Sequence, residues 1–143
     1  METITHIRLV LWKAAKAVDR IDRASIKGTG LQVTEFAIME ALLHLGAMPI
    51  NVIGRKVLLT SGSMTAAINR LQKRDLVRRV PDETDARSIC IHLTPTGKQV
   101  IQQAFDQHKR NLEAVAGTLT PKDRSELVRL LKVLGREAEN AVL

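Results

Sequence analysis

Between Ile50 and Thr94 the apolar spacing switches from helical to alternating, and this switch constrains the fold more than any other feature of the chain. A short apolar-periodic segment at residues 51–59 is followed by Thr60-Ser61-Gly62-Ser63 and a second helical run to Arg74. In that run Met64, Ile68 and Leu71 recur at steps of four and three, the signature of a helix packed along one stripe. With about 100° of rotation per residue, the opposite face carries Gly62, Ala66, Asn69, Arg70 and Lys73, flanked by Ser63 and Thr65. That face is small, polar and basic, and suits entry into a DNA major groove. Two short helices joined by a tight turn, the second with such a face, predict a helix-turn-helix. Two runs rich in β-branched residues follow, Val77-Arg78-Arg79-Val80 and Ile89-Cys90-Ile91-His92-Leu93, around a polar loop from Pro81 to Ser88. Helix-turn-helix and hairpin together predict a winged helix.

The flanks read as helices. Ile4, Ile7, Leu11, Ala14, Val18 and Ile21 form a narrow seam on a long first helix at residues 3–26, and such a seam needs a partner surface. Thr34 is read as the N-cap of a helix at residues 35–45 whose apolar face is Phe36, Met39, Ala41, Leu42, Leu43 and Leu45, ended by Gly46-Ala-Met48-Pro49. Thr94-Pro95 and Thr120-Pro121 each place a capping threonine before a proline at the first helical position. They predict a helix to about Ala116, with Ile101, Ala104, Phe105, His108, Leu112 and Val115 on one side, and a last helix with Leu127, Leu130, Leu131, Leu134, Ala138 and Ala141. The expected fold class is mainly α with a small β-hairpin wing: a winged helix-turn-helix lobe at 31–94, with 1–27 and 95–143 as a helical dimerisation lobe of one 143-residue domain.

Charge points to a polyanionic partner. The chain carries a net charge of +7, and residues 51–94 hold eight Lys and Arg against four acids, more than half of the excess. Only Trp12, Phe36 and Phe105 are aromatic, so the core is aliphatic. A single cysteine excludes an internal disulfide framework and suits a reducing cytosol. The start at Met1 lacks the pattern of a signal peptide, and no run approaches the ~20 apolar residues of a membrane span, so a cytoplasmic protein is expected. Gly28-Thr-Gly30 lacks the third glycine and preceding strand of a nucleotide-binding turn, and reads as a helix end. His6, His44, His92 and His108 show no metal-ligand spacing. With no catalytic constellation evident, the sequence predicts neither metal, cofactor nor enzyme.

Three ordered motifs carry a resemblance: Leu71-Gln-Lys-Arg-Asp-Leu-Val-Arg-Arg79, Asp85-Ala-Arg87-Ser88, and Leu93-Thr94-Pro-Thr-Gly97. Together they resemble the MarR family of bacterial and archaeal transcription regulators over nearly the whole chain. The resemblance implies a homodimeric repressor on a pseudo-palindromic duplex, released by a small-molecule effector. Ser61 and Ser63 stand at a helix N-terminus suited to phosphate, and Lys73 lies on the same helix face. Thr65, Asn69 and Arg70 are the candidates for base edges, arginine suiting guanine, asparagine adenine and a threonine methyl the thymine methyl. Arg78 and Arg79 alternate faces of the first wing strand, one meeting phosphate and the other solvated. Relatives imply that Arg87 reaches into a minor groove while Asp85 holds it. This chain departs from the family pattern at Ala66 and Ala86, where relatives often carry basic residues, which shifts weight to Arg70, the wing and DNA shape.

Family resemblance also implies an effector pocket for a small, often aromatic anion, for which Trp12, His44, Met48 and His108 are the candidates. Residues 53–65 are similar to a subgroup answering to phenols and quinones. Cys90, in mid-strand, is read as an ordinary strand residue, because the family's oxidant-sensing cysteines lie near the N-terminus. The competing reading is a winged-helix interaction module that never touches DNA. Such a surface favours exposed aromatic anchors, and the recognition face has none.

Overall fold

The computed structural model describes residues 3–57 and 59–142, with the side chain of Ser61 outside the description. Elements run α1 (Ile4–Lys27), α2 (Val33–Leu45), β1 (Met48–Pro49), α3 (Ile50–Val57), α4 (Ser61–Lys73), β2 (Val77–Pro81), β3 (Ile89–Leu93), α5 (Pro95–Ala116) and α6 (Pro121–Asn140). They fall into two compact units, Met1–Lys109 and Arg110–Leu143.

In the first unit the core is aliphatic apart from Phe36, as the composition requires. Phe36, Ile38, Met39 and Leu42 of α2 are buried together with Ile53 of α3, Met64, Ala67, Ile68 and Leu71 of α4, Ile91 of β3, and Ile101 of α5. α2 therefore buries more than one face, although Leu45, which the sequence places on its apolar side, is exposed. Its start also differs from expectation: Gln32, not Thr34, is the N-cap. The Gln32 backbone N–H donates to Glu35 Oε1 at 2.8 Å, while Thr34 lies inside the first turn and accepts from Arg70.

The wing is a three-stranded antiparallel sheet in the order β1-β3-β2, one strand more than the expected hairpin. The added strand is the Met48–Pro49 segment, which sequence analysis reads as a helix terminator; Met48 pairs with Ile91 and Pro49 with Cys90. A proline is tolerated there because β1 is an edge strand. On the other side Val77 pairs with Leu93 and Pro81 with Ile89.

α1 buries only Ser25 and Ile26 at its C-terminal end, and its predicted seam is exposed along its length. There the buried His108 ring of α5 lies between Ser25 Oγ (2.9 Å from Nδ1) and Asp22 Oδ1 (2.9 Å from Nε2), edge-on to Phe36.

The second unit comprises the end of α5 and all of α6. Thr120 caps α6 by accepting from the Asp123 N–H at 3.1 Å, and Pro121 opens it, as expected. Arg124 donates to Glu113 across the turn between the two helices at 3.2 Å. Leu127, Val128, Leu130, Leu131 and Val133 are exposed on α6, while Ala141 lies beyond the helix end.

Candidate nucleic-acid interface

α4 begins because Thr60, in extended backbone, accepts the Ser63 N–H on its hydroxyl at 3.2 Å and donates its own proton to Ser63 Oγ at 3.0 Å. It ends in a paired motif that turns the chain toward the wing. Asp75 takes φ 57°, its N–H donates to Gln72 O at 3.0 Å, and the Leu76 N–H donates to Leu71 O at 2.9 Å. Between these ends, burying Met64, Ile68 and Leu71 fixes the helix rotation. Gly62, Ser63, Thr65, Ala66, Asn69, Gln72 and Lys73 are consequently exposed. Ser61 lies in the first turn, but its side chain is outside the described residues.

Arg70 is placed otherwise than a free base-reading side chain. Its Nη2 donates to Thr34 Oγ1 at 3.3 Å, and its Nε lies 3.5 Å from Glu35 Oε2. Arg74 Nη1 approaches the other oxygen of Glu35 at 4.0 Å. The Glu35 side chain is only 4% exposed, so a buried carboxylate draws two arginines of α4 back onto the start of α2. Sequence reading missed Glu35 because its partners lie far along the chain.

The wing arginines divide. Arg78 is exposed on its strand. Arg79 reaches α4, donating through Nη2 to Asn69 Oδ1 at 2.8 Å and through Nη1 to Gln72 Oε1. A groove of about 300 Å³ is lined by Asn69, Gln72, Lys73 and Arg79.

At the wing tip the Asp82 carboxylate accepts from the Thr84 N–H and hydroxyl, and the Asp85 carboxylate from the Arg87 N–H at 3.1 Å. Arg87 Nε lies 3.5 Å from that same Asp85 oxygen while its side chain is 95% exposed. The guanidinium is thus held at its base and open at its end. Arg87, Ser88 and Ile89 of the wing, Thr65 of α4, and Asn51 and Arg55 of α3 line one groove of about 750 Å³. Two exposed polar side chains of α3, Asn51 and Arg55, are therefore part of this surface. In the sequence Asn51 carries no signal, and Arg55 none beyond general basicity.

Among the described residues the four effector candidates stand in different surroundings. His44 lines a groove of about 420 Å³ with Glu40 and Lys56, and stacks edge-on against Phe105 at 4.6 Å. Trp12 is exposed on α1 beneath the Lys16 ammonium, Met48 is in the core, and His108 is buried against α1. The Glu40 carboxyl is raised above its ordinary pKa of 4.5, chiefly by burial, with His44 and His108 pulling it partly back and Asp22 pushing it up. Among the described residues no group of three His, Cys, Asp or Glu side chains could hold a metal ion, and no helix is long and apolar enough to cross a membrane.

Comparison with known proteins places this geometry. Residues 29–88 match the model of the MarR family. The transcriptional regulator MhqR of Bacillus subtilis is 30% identical over 131 residues, covering 92% of this chain and 90% of its own. AbsC of Streptomyces coelicolor, a MarR family transcriptional regulator, has a fold similar to this one with a TM-score of 0.80 at 20% identity, over 99% of both chains. BpsR of Bordetella bronchiseptica, whose DNA binding is regulated by 6-hydroxynicotinic acid, is similar in fold with a TM-score of 0.76 at 22% identity, over 90% of this chain and 98% of that one.

Proposed function

The chain belongs to the MarR family of DNA-binding transcription regulators, and from that premise we propose that it acts as a homodimeric repressor of a pseudo-palindromic operator. The observation that carries the reading is the single surface formed by the outer face of α4 and the wing tip, where Thr65 and Arg87 border one groove. Thr65 and Asn69 then meet base edges in the major groove. Ser61, Ser63, Lys73 and Arg78 hold phosphates, and Arg87, steadied by Asp85, enters the adjacent minor groove. Arg70, drawn onto Glu35, serves mainly to lock α4 to α2 and contributes less to base reading than its position in the sequence implies.

Dimerisation through α1 and α6 is supported by their exposed apolar side chains, among them Ile4, Val10 and Val18 on one helix and Leu127 and Leu131 on the other. Division of labour follows the chain, with 31–94 reading DNA and 1–27 with 95–143 pairing the protomers. Release by an aromatic anion is proposed on the analogy of BpsR and its hydroxynicotinic acid, with Trp12, His44, Met48 and His108 as the residues to test. His44, beside Glu40 and Lys56, has the most direct access to a groove.

Selection from a random duplex pool tests the central reading. An inverted repeat with half-sites about one helical turn apart, bound by two protomers, is expected. Recovery of a single unrepeated site bound by one protomer would overturn the dimeric arrangement.

A further inference from the structure

Arg79 stands on the first wing strand yet bonds to the recognition helix, and what it does there bears on which base that helix reads. Its Nη2 donates to Asn69 Oδ1 at 2.8 Å while its Nη1 donates to Gln72 Oε1, so two amide carbonyls one helical turn apart hold the guanidinium in a fork. The consequence for Asn69 is chemical. An asparagine reads adenine with both edges of its amide, accepting from N6–H through Oδ1 and donating to N7 through Nδ2. Here Oδ1 is turned toward the wing and engaged by a cation, which sets the amide flip and leaves the Nδ2 hydrogens for a ligand. The guanidinium charge beside that edge also favours a base rich in acceptors. Guanine offers O6 and N7 in the major groove, whereas adenine offers N7 beside an N6 donor.

We propose that Arg79 is a positioning residue which fixes the Asn69 amide as a donor, so that Asn69 selects guanine over adenine at the base pair it meets. This rests on the reading of α4 as the helix that enters the major groove, and replaces the adenine pairing that asparagine alone suggests. Arg79 then acts on specificity through another side chain. A plain phosphate contact would change affinity for all sequences alike.

The test uses the full-length protein and the operator recovered by selection. Every operator base pair is substituted in turn, and Asn69→Ala identifies the pair whose preference depends on that side chain. At that pair the wild type is expected to prefer guanine to adenine by about tenfold. Arg79→Ala should bring the ratio to unity or reverse it. Arg79→Lys keeps the charge but lacks the fork, so the ratio should still fall although a cation remains beside the helix. Three results would each overturn the proposal: adenine preferred by the wild type, a ratio unchanged in both Arg79 variants, or no base pair whose preference depends on Asn69. Wild-type protein that binds no duplex selectively would remove the underlying reading as well, and is told apart because it fails before any variant is compared.

Discussion

Replacing Gly97 by alanine should unseat the start of α5 and, with it, the wing. Gly97 is buried in the first turn of that helix, where its N–H donates to Thr94 Oγ1 at 2.9 Å. A Cβ there would lie 1.9 Å from the Leu76 carbonyl oxygen and 2.8 Å from the carbonyl carbon, about 1.5 Å short of the 3.4 Å at which ordinary contact begins. The Leu76 atoms are backbone and the Cβ is fixed by the Gly97 backbone, so no rotamer relieves the clash. The helix must retreat from the segment entering β2. Retreat breaks the Thr94 N–H bond to Leu76 O at 3.1 Å and the Thr94 hydroxyl bond to Asp75 O at 2.6 Å. Each such bond is worth about 1 kcal/mol, and overpacking a core site adds about 1–3 kcal/mol. A loss of about 3–5 kcal/mol follows, which for a chain of this size lowers the unfolding midpoint by about 10 °C. Thermal unfolding followed by circular dichroism at fixed protein concentration reads it. Gly62→Ala is the control, because an added Cβ there meets nothing within 4 Å and should change stability by no more than about 1 kcal/mol. A Gly97→Ala midpoint within about 3 °C of wild type would refute the argument that close backbone approach seats α5.

Three further outcomes are expected. Arg87→Ala should weaken operator binding about tenfold and make the salt dependence shallower by about one charge, with an unchanged unfolding midpoint because the side chain is 95% exposed; equal salt slopes would count against a phosphate-lined groove contact. Thr60→Ala should cost about 1 kcal/mol through loss of the α4 cap, and Thr60→Ser should restore it, both read by denaturant unfolding. For Glu40, burial raises the folded pKa above 4.5, so its contribution to stability is present below the unfolded value and is lost as pH rises through the folded one. Glu40→Gln should therefore raise the midpoint near neutral pH and leave it unaltered in acid; a difference that does not vary with pH would exclude this cause.

The recognition helix and the wing were legible because each has a short-range period. Met64, Ile68 and Leu71 recur at helical steps and are buried together, and the residues around the wing loop alternate as strands do. Thr94 and Thr120 were legible as caps for the same local reason, each accepting the N–H three residues ahead, whereas Thr34 was not a cap because Gln32 takes that place. What escaped was assembled at long range. β1 has two residues, too few to show a period, and exists only because β3 offers an edge. Glu35 looks like an ordinary first-turn acid until α4 brings Arg70 and Arg74 to it. That contact also moves Arg70 from the open helix face to the seam between helices. The Ser25–His108–Asp22 chain joins α1 to α5 across more of the sequence than any motif spans. Arg79 could be placed on a strand by alternation, but not on Asn69.

The central claim is that the outer face of α4 reads sequence, and the affinity ratio between the selected duplex and a scrambled duplex of equal length tests it most directly. At one fixed salt concentration the wild type should show a ratio of about a thousandfold or more, and a Thr65→Ala, Asn69→Ala double variant that still binds both duplexes a ratio near unity. A double variant that keeps the wild-type ratio would mean that selectivity lies elsewhere than on this helix.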